Sequence, residues 1–302
     1  MKSAWVLILL LISVFLSGCT MPGSETTTAP TNSAGLTINY VRTSMNYVKS
    51  GDSITIEAQA QNTGDRNINL VTAVPFMLPW QGFSITYPCY NLERPNTEIE
   101  RVGGVCPARW TNVVVPRVTK QETFPVGVRF YYDYSTVTRA KVFAVSGNSY
   151  MGYKERGEEF PTTRMVDPGT GPISANARID SVIIIPSMGA VTRRVPVTLE
   201  FTNAGGGYPQ TYGSSARNYQ INSVTIDTST TGGMYIQDLG SCSNAIPMRG
   251  GASGECIFWL GVPSNSMNEV VMDLKITSNY GYYIEDKSTV ITVNPDIEDT
   301  FN

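Results

Sequence analysis

From residue 36 onward apolar and polar positions alternate at a period of two over many short runs. Ser53 to Ala60 (SITIEAQA), Val195 to Phe201 (VPVTLEF) and Val290 to Val293 (VITV) read as half-buried β-strands. No sustained 3.6-residue apolar pattern interrupts them, and turn residues punctuate the runs at the intervals of an all-β sandwich. The expected fold class is all-β.

The pattern occurs twice. Ile38 to Asn62 spans 24 residues and so does Ile179 to Asn203, each Asn closing a strand as Asn62-Thr63-Gly64 or Asn203-Ala204-Gly205. Two cysteines follow in each half, Cys89 with Cys106 and Cys242 with Cys256. Cys106 lies 25 residues before Tyr131 and Cys256 lies 24 before Tyr280. Each tyrosine cluster (Tyr131 to Tyr134, Tyr280 to Tyr283) precedes a final strand containing Ser-Thr-Val. This spacing predicts two tandem immunoglobulin-like β-sandwiches, 36–147 and 176–295. Residues 148–175, with the charge run Lys154 to Glu159 and the Pro/Gly stretch Asp167 to Pro172, are expected to be a linker, and 296–302 a solvated acidic tail.

The N-terminus departs from this plan. After Lys2, Trp5 to Leu16 form a twelve-residue run broken only by Ser13. As a helix it would reach about 18 Å, short of the roughly 30 Å of a hydrocarbon core, so 1–18 reads as a signal peptide. Leu16-Ser17-Gly18-Cys19 resembles the lipobox of prokaryotic lipoproteins. That resemblance implies a lipid on Cys19 and anchoring to the cell membrane; the alternative is an ordinary secretory signal whose cleavage site includes a cysteine. Residues 19–35 are Thr-, Ser-, Pro- and Gly-rich and are expected to be a flexible tether.

Composition narrows the chemistry. The 302 residues contain no histidine, which closes Ser-His and Cys-His nucleophile pairs and His metal ligation. A formal net charge of −3 gives no basic field for nucleic acid. No G-x-S-x-G, P-loop or dinucleotide fingerprint occurs, so no catalytic residue and no cofactor is assigned. Glu158-Glu159 and the carboxylates of the tail fall in segments expected to be solvated. With Cys19 lipidated, four cysteines allow three connectivities. The repeat favours Cys89–Cys106 and Cys242–Cys256, and export supplies an oxidising compartment. A metal site would be the rival, but neither C-x-x-C nor His is present, so no metal is assigned.

Gly51-Asp52 ahead of a strand that ends in Asn62-Thr63-Gly64 resembles the cell-adhesion-related domain of bacterial and archaeal surface proteins. The resemblance implies a sandwich used as an extracellular spacer or adhesion module. Two aromatic groups are candidate binding residues. Trp80 and Trp110 bracket a stretch expected to be an excursion between middle strands, and they either plug the sandwich edge or grip a sugar or protein. Tyr208 and Tyr212 lie in a Tyr-, Ser-, Gly- and Asn-rich loop of paratope-like composition. An immunoglobulin topology would place them near Tyr280, Tyr282 and Tyr283, as a ligand site or as an interdomain contact. The expected function is that of a lipid-anchored, extracytoplasmic, non-enzymatic structural, adhesion or protein-binding module. Its partners would be the membrane, through Cys19, and an envelope protein or glycan. The alternative is a carbohydrate-binding or carboxylate-dependent hydrolytic lipoprotein.

Overall fold

The computed structural model describes residues 35–76, 86–214 and 218–296, and the alternating runs become strands throughout that span. The first half contains β1 (Leu36–Thr43), β2 (Tyr47–Lys49), β3 (Ser53–Asn62), β4 (Ile68–Phe76), β5 (Tyr87–Leu92), β6 (Val105–Val114) and β7 (Glu122–Ser146). Helix α1 (Gly147–Glu155) and β8 (Thr163–Asp167) follow. The second half contains β9 (Ile173–Arg178), β10 (Ile183–Ile185), β11 (Arg193–Asn203), β12 (Gln220–Ile221), β13 (Ser223–Thr230) and β14 (Tyr235–Asp238). It ends with β15 (Ile246–Pro247), β16 (Ser253–Val262) and β17 (Glu269–Asn294). The signal peptide, Cys19, most of the tether, Trp80 and the tail beyond Asp296 lie outside the described residues.

A three-stranded sheet, β1-β3-β6, covers one part of a large sheet ordered β13-β17-β7-β4-β5, and a four-stranded sheet, β14-β16-β11-β9, covers another. The period of two explains the layers, since it puts every second side chain of a strand on one face. Ile54, Ile56, Ala58 and Ala60 of β3 are buried while their neighbours are not, and Val195, Val197, Leu199 and Phe201 of β11 repeat the pattern. These rows pack, in a single core, against Val126, Val128 and Phe130 of β7 and Val270, Met272, Leu274 and Ile276 of β17.

The two long strands depart from the expected plan. At about 3.3 Å per residue, the 25 residues of β7 reach roughly 80 Å. Its first part pairs with β4 (Val71↔Tyr132 to Phe76↔Gly127), and its second part pairs with β8 and with β10 of the other half. In the same way β17 pairs first with β13 and, at its end, with β2 of the first half. The two run antiparallel from Glu269↔Val145 to Val293↔Glu122, with one bulge between Asp286 and Thr289. Each half therefore closes its sheet with the terminal strand of the other.

Several expectations change with this topology. The tyrosine clusters sit in mid-strand. Neither Tyr-Tyr-Asp-Tyr-Ser-Thr in β7 nor Ser-Asn-Tyr-Gly-Tyr-Tyr in β17 contains a two-residue hairpin pair, and tyrosine favours extended structure, so each strand runs straight on instead of turning back. The segment 148–175 is not a bare linker: it holds α1, whose N-cap Ser146 accepts from Ser149 N, and β8, which joins the large sheet beside β7. All described residues belong to one compact unit, in which β7 of the first expected domain and β17 of the second pair along nearly their whole length.

The repeat has a structural signature at its two asparagines. Asn62 is fully buried; its Nδ2 donates to Arg66 O (2.8 Å) and Leu92 O (3.0 Å), and its Oδ1 accepts from Gly64 N. Asn203 Nδ2 donates to Gly207 O (2.8 Å) and Gly251 O (2.9 Å), and its Oδ1 accepts from Gly205 N. Both cysteine pairs form as the repeat favours, with Cα separations of 5.5 Å for Cys89–Cys106 and 5.0 Å for Cys242–Cys256. The first joins β5 of the large sheet to β6 of the three-stranded sheet, so the stretch expected to be an excursion before Trp110 holds strands of two sheets bridged by a disulfide. Cys106 and Trp110 belong to a ten-residue strand whose alternate side chains face the core.

Candidate functional site

Where β7 and β17 cross from one half to the other, tyrosines occupy both faces of the sheet. On the inner face the cross-strand pairs Tyr132↔Tyr282 and Tyr134↔Tyr280 set four rings in a square. The centroid distances around it are 6.1 Å (Tyr132–Tyr134), 6.3 Å (Tyr134–Tyr280), 6.1 Å (Tyr280–Tyr282) and 5.8 Å (Tyr282–Tyr132). Edge-to-face and tilted contacts suit the ring quadrupoles. Tyr134 Oη donates to Asp65 Oδ1 at 2.8 Å and Tyr282 Oη donates to Asn203 Oδ1 at 2.7 Å, which ties the square to both repeats. Tyr280 Oη accepts from Ile173 N and lies 2.6 Å from Thr136 Oγ1. Burial pushes all four phenols up, Tyr282 to about 12, so the square is neutral over the whole physiological range.

The outer face carries an aromatic strip. Backbone bonds between Tyr208 and Tyr283 (2.9 Å in each direction) dock the loop after β11 onto β17. Gly281 makes this possible, because a Cβ there would stand 2.5 Å from Thr211 Cα. Tyr208 stacks between Tyr219 (5.3 Å) and Tyr283 (5.4 Å), and Tyr131 touches both Tyr283 (5.1 Å) and Tyr212 (5.2 Å). Arg129 lies over Phe76 and Tyr283 and pairs with Glu285 at 2.7 Å, a cross-strand link between the halves.

Beside the strip a polar cleft of about 870 Å³ opens on the seam. Asp65, Arg66, Asn67, Asn69 and Arg94 line it from the first half. Thr211, Asn222 and Asn279 line it from the second, and Asp133 and Ser135 of β7 lie between them. Arg94 is held by its backbone N–H to Asn67 Oδ1 and by Nη1 to Asp65 O.

The expected site residues thus separate. Tyr208, Tyr212 and Tyr283 come together on the outer face, Tyr208 and Tyr212 remaining 38% and 49% exposed. Tyr280 and Tyr282 face the interior at 1% exposure each and join the halves instead of meeting solvent. Trp110 is buried in the core at 2%, edge-on to Tyr87, and offers no gripping surface. The site also uses Tyr131, Tyr219, Arg129, Asp65, Asp133, Asn69 and Arg94, none of them expected from the sequence as a binding residue, although Tyr131 and Asp133 lie in a cluster that marks the repeat. The clue available was the composition of the Tyr131-Tyr132-Asp133-Tyr134 run, in which alternation sends Tyr131 and Asp133 to one face.

Among the described residues no group of three metal-ligating side chains converges, and no helix is long and apolar enough to cross a membrane. The two disulfides suit an oxidising, extracytoplasmic compartment. No protein-family model matches the chain, and no curated protein matches it.

Proposed function

We propose that this is an exported lipoprotein, anchored through Cys19 to the cell membrane, whose two fused immunoglobulin-like sandwiches act as a non-enzymatic surface module for structure, adhesion or protein binding. The observation that carries the reading is the exchange of terminal strands along β7 and β17. A continuous ladder joins the halves, and one disulfide within each half adds a covalent link there, as a stiff element presenting a fixed face requires. The tether supplies reach from the membrane, and the aromatic strip and cleft form the presented face.

A Cys19→Ser variant tests the anchor. It is expected to move from the membrane fraction to the soluble exported fraction; retention at the wild-type level would overturn the lipid assignment. The placement of Asp65 and Asp133 in one cleft favours the second reading, a carboxylate-dependent hydrolase. Release of reducing ends from an oligosaccharide, abolished in both Asp65→Asn and Asp133→Asn, would establish it and refute the non-enzymatic reading.

A further inference from the structure

We infer that the seam cleft binds a neutral oligosaccharide, with Tyr212 as the stacking platform and Asp133 and Asn69 as hydroxyl-binding groups. This rests on the reading of the protein as a surface-binding module and names its ligand class. A sugar ring has an apolar C–H face and a rim of hydroxyls, each both donor and acceptor. Its receptor therefore needs an exposed aromatic face beside planar groups with two adjacent polar atoms.

The seam has both. Asp133 and Tyr131 are two residues apart on the same face of β7, roughly 7 Å by strand geometry, and Tyr212 rests against Tyr131 at 5.2 Å. Tyr212 also follows Thr211 of the cleft wall directly in sequence. The aromatic platform is thus at the rim of the polar cleft. The volume of about 870 Å³ falls in the range of ligand sites and exceeds what one small ion or metabolite needs.

Charge and satisfaction narrow the ligand. Two lining carboxylates, Asp65 and Asp133, face two guanidinium groups, Arg66 and Arg94, so the formal charge of the wall balances. That balance disfavours a polyanion, which would meet Asp133 without a cationic excess. The side chains of Arg66, Asn69, Asp133 and Ser135 have no hydrogen bond or ion pair with another described residue, although Arg94 and Asp65 beside them are engaged. A cleft wall of uncommitted planar donors and acceptors suits a polyhydroxylated neutral chain better than an apolar peptide.

The test uses the full chain in detergent on an array of neutral and anionic oligosaccharides, followed by calorimetric titration of the best neutral ligand. Saturable binding of a neutral oligosaccharide is expected. Tyr212→Ala and Asp133→Asn should each weaken it about tenfold, the loss of a stacking face or of one charge-assisted hydrogen bond. Tyr235→Ala, at an exposed tyrosine of β14 away from the cleft, should leave it unchanged. Both cleft positions are exposed, so circular dichroism should show wild-type folding. Binding confined to anionic ligands, no binding at all up to about 10 mM, or binding that survives both cleft substitutions would overturn the proposal. The membrane partition of Cys19→Ser reads the anchored-module assignment separately, so either can fail alone.

Discussion

Tyr132 and Tyr280 occupy matched places in the ring square, yet their hydroxyls fare differently. Tyr280 Oη takes the Ile173 N–H at 3.2 Å and lies within hydrogen-bond distance of Thr136. Tyr132 Oη is buried against the Leu36 main chain without a well-formed hydrogen bond. Replacing one partner of a buried bond leaves the other unsatisfied, whereas removing an unpaired hydroxyl relieves a desolvation cost. Tyr280→Phe should therefore destabilise the protein by about 1–3 kcal/mol and Tyr132→Phe by less than about 0.5 kcal/mol. Urea unfolding of the two variants checks this, and equal losses would count against it. Asn62 and Asn203 show what the sequence can and cannot disclose at this scale. Their strand-closing position is visible, because each precedes a Thr-Gly or Ala-Gly turn. Their work as buried plugs is not, since Leu92 and Gly251 come to them from thirty or more residues away.

At the scale of elements, a period of two identifies a strand but says nothing about which neighbour it joins. β3, β11 and the end of β17 were all legible in this way. The exchange was not, because a strand that turns back and one that runs on share the same alternation, and only turn residues distinguish them. The cleft was equally hidden, being assembled from separate segments of both halves. The exchanged strands also make the seam sensitive to alkali. Burial raises the phenols of Tyr132, Tyr134, Tyr280, Tyr282 and Tyr283 above their ordinary value near 10, Tyr282 to about 12. A raised folded-state pKa means that the folded chain holds those protons more tightly than the unfolded chain. The corresponding stability is complete below pH 10 and is lost as pH rises through the folded-state values. Each such tyrosine contributes a slope of about 1.4 kcal/mol per pH unit within that window. Stability should thus stay free of any tyrosine contribution to its pH dependence through neutrality and fall steeply above pH 10. Tyrosinate absorbance should rise cooperatively with loss of the β-sheet circular dichroism signal; gradual ionisation near pH 10 with the sheet intact would contradict the buried square.

The molecule as a whole is two repeats that complete one another, and this separates it from a pair of beads on a string. In the first half the sheet β5-β4-β7 is continued by residues 280–293 of β17 and then by β2 on its far side. A fragment of residues 20–155 carries every strand of that sandwich except the one lying between β7 and β2. Its Val126, Val128 and Phe130 would lose the cross-strand neighbours that cover them, and Ala140, Val142 and Ala144 of the projecting part of β7 would lose β17 entirely. Self-repair would require β7 to fold back as a hairpin near Tyr134-Ser135, where no hairpin pair is present. It would also leave Tyr132 and Tyr134 without the rings of Tyr282 and Tyr280. The isolated fragment should therefore not form a folded monomer, showing aggregation or weak, non-cooperative melting. Mixed with residues 156–302 under oxidising conditions, it should assemble into a one-to-one complex with a single cooperative transition. Size-exclusion chromatography with thermal circular dichroism reads both outcomes. A sharply melting monomer from residues 20–155 alone would show that the first repeat is self-sufficient and that the strand exchange is dispensable to its fold.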